Sequence, residues 1–313
     1  MSFRTSVYAV LVASLGLAGC AHFEVGSNNR VRADFSHTYP LQPGATVSVE
    51  SYNGSVEIVG WDREEAEVSG TKTADSQESL DRIQVDIKNN PSSLNIRAVK
   101  PGGGFSGTGV RMTLRVPRKA VVDRAETSNG SVHVADLAGA ARLRSSNGAV
   151  RVERIGGDLD ARTSNGSLEI SGVAGEARLV TSNGRIQVEG VEKRVEGETS
   201  NGSVKARLNG RAPVRLVSSN GSIEAAFDGA PAGDVRLETR NSSITLDLPA
   251  KTSARLSAAT TNSSVSSEFE VSGASRDDQR RTRLEGNIGA GGPSIDLSTV
   301  NGRISIVRGS GAN

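Results

Sequence analysis

Apolar residues recur in this chain with two superposed rhythms. At close range they alternate with polar ones, as in Val132/Val134, Val150/Val152, Leu168/Ile170, Ile186/Val188, Ile223/Ala225, Ile244/Leu246 and Ile304/Ile306. The same alternation returns in Ala141/Leu143, Leu159/Ala161, Ala177/Leu179, Val214/Leu216, Val235/Leu237 and Ile295/Leu297. A period of two, rich in branched side chains, predicts short strands with one face inward. The longer rhythm sets the pairs about 18 to 21 residues apart, and each repeat holds two such strands on either side of an Asn.

Those asparagines mark the period. Asn129, Asn147, Asn165, Asn183 and Asn201 follow one another at steps of 18, and Asn220, Asn241 and Asn262 follow at slightly longer ones. Most stand in a Ser-Asn-Gly corner; Asn241 and Asn262 are followed by Ser, and the full signature reappears around Asn53 and Asn301. A repeat this short cannot bury its own apolar face until its neighbours stack on it. The pattern therefore predicts an all-β, parallel β-solenoid (a β-helix): coils of about 18 to 21 residues, two strands per coil, strands of successive coils about 4.8 Å apart. The chirality of parallel β connections favours a right-handed coil.

At the corner, Gly supplies backbone freedom and Asn tolerates left-handed conformations. Stacked Asn side chains are expected to form an amide ladder in a partly buried corner, flanked by the hydroxyls of Thr127, Ser145, Thr163, Thr181, Thr199, Ser218 and Thr239. A row of Asn and Ser/Thr could instead bind a sugar or an ion, but repetition at every coil is what a structural ladder requires.

Domain organisation follows. The segment 1–19 carries one basic residue, Arg4, then an apolar run and small residues, which reads as a secretory signal. The run ends in Leu17-Ala18-Gly19-Cys20, similar to the lipobox of bacterial lipoproteins, and the resemblance implies lipidation at Cys20. Residues 20–38 are expected to be the lipidated N-terminus and a polar tether, residues 39–126 an N-terminal coil with a degenerate cap, and residues 127–313 the regular solenoid with an excursion near 272–287. Because the gap between Asn53 and Asn129 divides evenly into four steps of coil length, the stretch between them is expected to hold degenerate coils with a short helix in Asp75–Ile83. Ala21 follows the cysteine where retention at the inner membrane usually wants Asp, so the resemblance implies the outer membrane in a Gram-negative host.

Cys20 is the only cysteine, so the chain contains no intramolecular disulfide and packing must hold it together. Aromatic residues are scarce at 3%, which suits a thin regular core. A net charge of +2 gives no reason to expect nucleic acid as a partner. Outward positions run Arg142, Asp160, Arg178, Glu196, Arg215 in one column and His133, Arg151, Glu169, Gln187, Lys205, Glu224 in another; alternating signs predict ion pairing between coils on solvated walls.

Candidate chemistry is sparse. The three histidines, His22, His37 and His133, fall in the lipidated segment, the tether and an exposed row, none beside a predictable partner. No acid/base constellation, metal-ligand spacing or phosphate-binding loop is visible, so no catalytic residue, metal site or cofactor is expected. Trp61 is the single tryptophan and is best read as core or cap packing.

The TSNGSV-type coils, with VRMTLRVPRKA leading into them over roughly Tyr39 to Val307, resemble the putative-adhesin family of bacterial envelope proteins, a domain of unknown function. The resemblance implies a non-catalytic, lipid-anchored envelope protein whose rigid solenoid serves structure, adhesion or interaction. Its partners would be the membrane, through the lipid on Cys20, and an envelope protein or polysaccharide. The alternative is a polysaccharide-binding or polysaccharide-processing β-helix protein.

Overall fold

A computed structural model describes residues 30–99, 107–276 and 282–309. Cys20 and the signal segment lie outside the described residues, as do Asp277–Arg281 of the excursion and much of the glycine-rich stretch after Lys100. The described chain forms two sheets of 13 and 14 strands. Between Val121 and Pro249 successive strands alternate between them: residues 132–137, 150–155, 168–173, 186–191, 204–208, 223–227 and 244–249 stack in one sheet, and 121–127, 141–145, 159–163, 177–181, 195–199, 214–218 and 235–239 in the other. Pairing is parallel and in register, for example Ile186 with Leu168 on one side and Val204 on the other. The β-solenoid with two strands per coil is thus the observed architecture.

Every apolar pair named above is buried, and together they form one continuous core between the sheets. Gly197 occupies an inward position without a side chain, and the Cδ2 of Leu216 on the next coil sits 2.9 Å from where its Cβ would be. That coil fills a gap with its neighbour's bulk, which close packing demands.

The two ends depart from chain order. The coil of residues 46–61 lies directly against residues 121–137: Val56 pairs with Val132, and Val47 with Val122. Its other side is covered by a coil made later in the chain, residues 93–99 and 109–117, with Val56 against Met112 and Val47 against Leu94. The segment between Asn53 and Asn129 therefore contributes one outer coil, not several degenerate ones. Its remaining strands turn antiparallel: 65–74 runs back along 109–117, and 84–90 along 93–99. These antiparallel strands, and not a further parallel coil, form the sheet edges at this end. A helix at Gln77–Asp81, N-capped by Ser76, packs Leu80 with the nearby Ile83 into this end, as its sequence predicts.

Residues 31–38, expected as part of a tether, are instead part of a strand, Val31–Pro40, paired over its whole length with 65–74. Its alternation Val31, Ala33, Phe35 supplies the inward face, and His37 stands between the rings of Phe35 and Tyr39 at 6.3 and 6.1 Å.

The C-terminal end repeats the device. The last coil in sequence, residues 294–309, is inserted between the coil of 235–249 and that of 254–267: Ile295 pairs with both Val235 and Leu256, and Ile304 with both Ile244 and Val265. The excursion is a pair of antiparallel strands, 271–276 and 283–288, the second lying along 254–260.

Candidate functional site: the asparagine edge and the sheet walls

The Ser-Asn-Gly corners stack into one straight edge. Each Asn donates from Nδ2 to Oδ1 of the Asn on the preceding rung, at 2.7–2.8 Å from Asn147 through Asn241. The rung order in space is Asn53, Asn129, Asn147, Asn165, Asn183, Asn201, Asn220, Asn241, Asn301, Asn262, because Asn301 donates to Asn241 and Asn262 to Asn301. Nine steps of about 4.8 Å make this a strip roughly 43 Å long. All the amides point the same way, so their hydrogen bonds polarise one another.

The corner works differently from its sequence-based expectation. The ladder asparagines from Asn129 onward are exposed; the buried polar groups are the hydroxyls two residues earlier, from Ser51 and Thr127 through Thr299. Thr181 is representative: its Oγ1 donates to the Gly166 carbonyl at 3.1 Å and accepts from Gly184 N–H at 3.2 Å. Buried backbone groups at the turn are satisfied there.

The glycine is required by proximity, since Gly130, Gly148, Gly166, Gly184, Gly202 and Gly221 are not in the positive-φ region. A Cβ on Gly184 would stand 1.7 Å from the Gly166 carbonyl oxygen, and the others meet the rung below at 1.8–2.0 Å.

Left-handed backbone is used elsewhere. Asp136, Arg154, Gly172 and Gly190 hold the same place on four successive coils, with φ of 60°, 55°, 71° and 66°. Each breaks the strand's alternation at the same place, so that Leu137, Ile155, Val173 and Val191 turn back into the core while the coils stay in register. Arg154 binds Asp136 through two bonds of 2.7 and 3.0 Å, holding that carboxyl below its ordinary pKa mainly through the hydrogen bond. Arg118 joins Asp136 at 3.8 Å and Asp62 at 2.7 Å. The two glycines at matching positions were the sequence signal for this left-handed position; the ion pair had none.

Outward charges on the walls pair with one another. Arg151 reaches Glu169 at 3.0 Å and Lys205 reaches Glu224 at 3.8 Å across coils, as alternation predicts. Asp160 and Glu196 instead bind Arg162 and Arg194 two residues away on their own coil. His133 is not an isolated exposed residue: Glu57 and Glu153 stand 3.6 Å from its two ring nitrogens. Glu57 arrives through the inserted coil, a proximity invisible along the chain. Trp61 donates its indole N–H to the Glu65 carbonyl at 2.8 Å beneath the Arg63 guanidinium, consistent with cap packing.

Two shallow grooves cross these walls. One, about 670 Å³, runs over Asp123, Arg142, Asp160 and Arg178; the other, about 820 Å³, over Lys205, Arg207, Glu224 and Asp247. Both are lined by mixed charges.

The chain that builds this two-sheet stack matches a family model, Toastrack DUF4097, over residues 45–307. The chain belongs to the Toastrack DUF4097 family. Similar solved structures include a putative adhesin from Bacteroides fragilis, at 14% identity and a TM-score of 0.38, covering 88% of this chain and 97% of that one. A putative adhesin from Parabacteroides distasonis aligns at 11% identity and a TM-score of 0.37, covering 88% and 97%. A putative cell adhesion protein from Clostridium sporogenes aligns at 10% identity and a TM-score of 0.22, covering 88% and 100%. No curated protein matches the chain. The Toastrack match begins at Ala45, so the edge strand Val31–Pro40 lies before it, and it ends inside the inserted last coil.

Proposed function

We propose that this Toastrack protein is a non-catalytic, lipid-anchored component of a bacterial cell envelope, in which the rod acts as a structural and adhesive contact module. The observation that carries this reading is the rod itself: one continuous core, antiparallel strands ending both sheets on the N-terminal side and one sheet on the C-terminal side, and wall charges directed at one another. Such a body resists deformation and offers long repetitive surfaces, on which weak contacts add through multivalency. Cys20 supplies the anchor, its acyl chains holding the protein at the membrane, which is the outer membrane in a Gram-negative host.

Acyl labelling and fractionation of cells carrying the full chain test the anchor. Wild-type protein is expected to take up label and sediment with membranes, and Cys20→Ala to lose the label and become soluble. Continued sedimentation of the unlabelled mutant with membranes would sink the lipid-anchor reading.

A further inference from the structure

Of the four residues at each regular corner, three are explained by the fold. The buried Thr or Ser satisfies backbone groups, the Asn builds the ladder, and the Gly allows the rungs to touch. The fourth, the residue just before Asn, is Ser in six consecutive rungs: Ser128, Ser146, Ser164, Ser182, Ser200 and Ser219. All six are exposed, and none of their hydroxyls makes a hydrogen bond among the described residues. Their backbone carbonyls do structural service, as when Ser164 accepts from the N–H groups of Ser182 and Asn183, but any residue has that carbonyl.

Nor does the corner demand a small side chain. The equivalent position holds Tyr52 on the first rung, Arg240 on the eighth and Val300 on the ninth, the ladder continuing through each. Six neutral hydroxyls therefore sit in a row at exposed positions where other columns of the same molecule carry charge.

Beside them run the ladder amides. Asn165, Asn183, Asn201 and Asn220 each use one N–H and one acceptor site along the ladder and keep a second N–H and a second lone pair, whereas Asn147 also donates to the Ser128 carbonyl at 3.2 Å. Per coil the strip presents an amide and a hydroxyl, each able to donate and accept; the Ser-Asn pairs themselves carry no charge or ring, while Arg185 follows one rung and Glu126, Arg144, Arg162 and Glu198 flank others with mixed sign.

We infer that this Ser-Asn edge is a docking strip for a neutral polysaccharide lying along the rod axis. Sugar hydroxyls are the partner chemistry that both donates and accepts without charge, so each rung can satisfy them in either sense. A polyanion would find no repeating row of cations, since the flanking charges are of both signs, and an apolar partner would have to desolvate twelve polar side chains without compensation. Each contact is weak and the number of rungs supplies the avidity. The inference rests on the contact-module reading and names its partner class.

The test is co-sedimentation of the full chain in detergent with insoluble neutral glucans, cellulose and starch granules, against polygalacturonate gel as the anionic control. Wild type is expected to sediment with at least one neutral glucan and not with polygalacturonate. S164E/S182R/S200E, whose alternating signs avoid stacked like charges, is expected to lose at least about tenfold in apparent affinity. S164T/S182T/S200T, which keeps the hydroxyls, should stay within about twofold. Melting curves check folding, and Ser182→Arg, with Arg240 as its precedent, replaces the charged triple if that unfolds.

Equal binding by folded charged and wild-type proteins, binding only to polygalacturonate, or no binding to either glucan overturns the strip. So does a wild-type dimer in light scattering that the charged variant dissolves, since the occupant would then be a second copy. Release of soluble sugar overturns the non-catalytic reading while leaving the strip standing.

Discussion

The middle of the rod and its two ends are built from the same repeat, yet they are assembled differently. In the middle, Asn183 binds the asparagines 18 residues before and after it, so every spatial neighbour is the next repeat in the chain. At the ends, Asn129 binds Asn53 across 76 residues, and Asn301 is held between Asn241 and Asn262 at separations of 60 and 39. Both terminal coils are inserted second from an end, and an outer coil lies over each. The difference teaches that a repeat motif specifies how two coils pair, not which two. Closing the long loops adds an entropy cost that grows slowly with length. It gives a terminal coil two partners, where a simple solenoid would leave it one.

The sharpest way to break the comparison is at a middle corner. Gly184→Val sets side-chain atoms against the Gly166 carbonyl and should cost roughly 4 kcal/mol or prevent folding. Ser242→Ala, at a corner where a Cβ is already present, should change denaturant stability by less than about 0.5 kcal/mol. Similar losses at both sites would show that contact between rungs is not what selects glycine.

A second experiment probes insertion. Ile304→Ala in the inserted last coil should cost roughly 3 kcal/mol, against about 1 kcal/mol for Val265→Ala in the outer one. In hydrogen exchange, residues 304–307 should be better protected than 265–267, although they come later in the chain. Faster exchange in 304–307 would mean that the last coil frays as an ordinary terminus.

Within one middle corner the buried hydroxyl should outweigh the exposed amide. Thr181→Val leaves two backbone groups unpaired and should lower stability by about 2 kcal/mol; Asn183→Ala removes exposed bonds and should cost about 0.5 to 1 kcal/mol. The reverse order in chemical denaturation would return the main stabilising role to the ladder.

The smallest effect belongs to the walls. Arg151→Ala removes an exposed pair with Glu169 and should change stability by less than about 0.5 kcal/mol, less still in high salt.

Much of this was legible in the chain. Strand positions, the two inward faces and the stacking of Asn129 to Asn241 follow from periodicity, since a side chain's face is fixed by its place in an alternating strand. The short helix before Ile83 was legible from its polar start and its apolar Leu80 and Ile83. The reason for the corner glycine was not, because a missing Cβ looks the same in sequence whether it serves a positive φ or a close approach. Likewise the Ser before Asn reads as turn composition until its exposure and lack of bonds are known.

The sequence alone determined the coil: its length, its two strands, its Asn corner and the alternation that fills its core, all set within one repeat and its nearest neighbours. Only the tertiary structure decided the order of the coils at the ends, the seating of Glu57 beside His133, and the conversion of residues 31–38 from tether to edge strand. Those choices rest on pairing between segments distant along the chain, such as Val31 with Ala74 and Val56 with Val132. Nearly identical repeats offer equivalent pairing surfaces there, so selection among them falls to the closure of the whole stack.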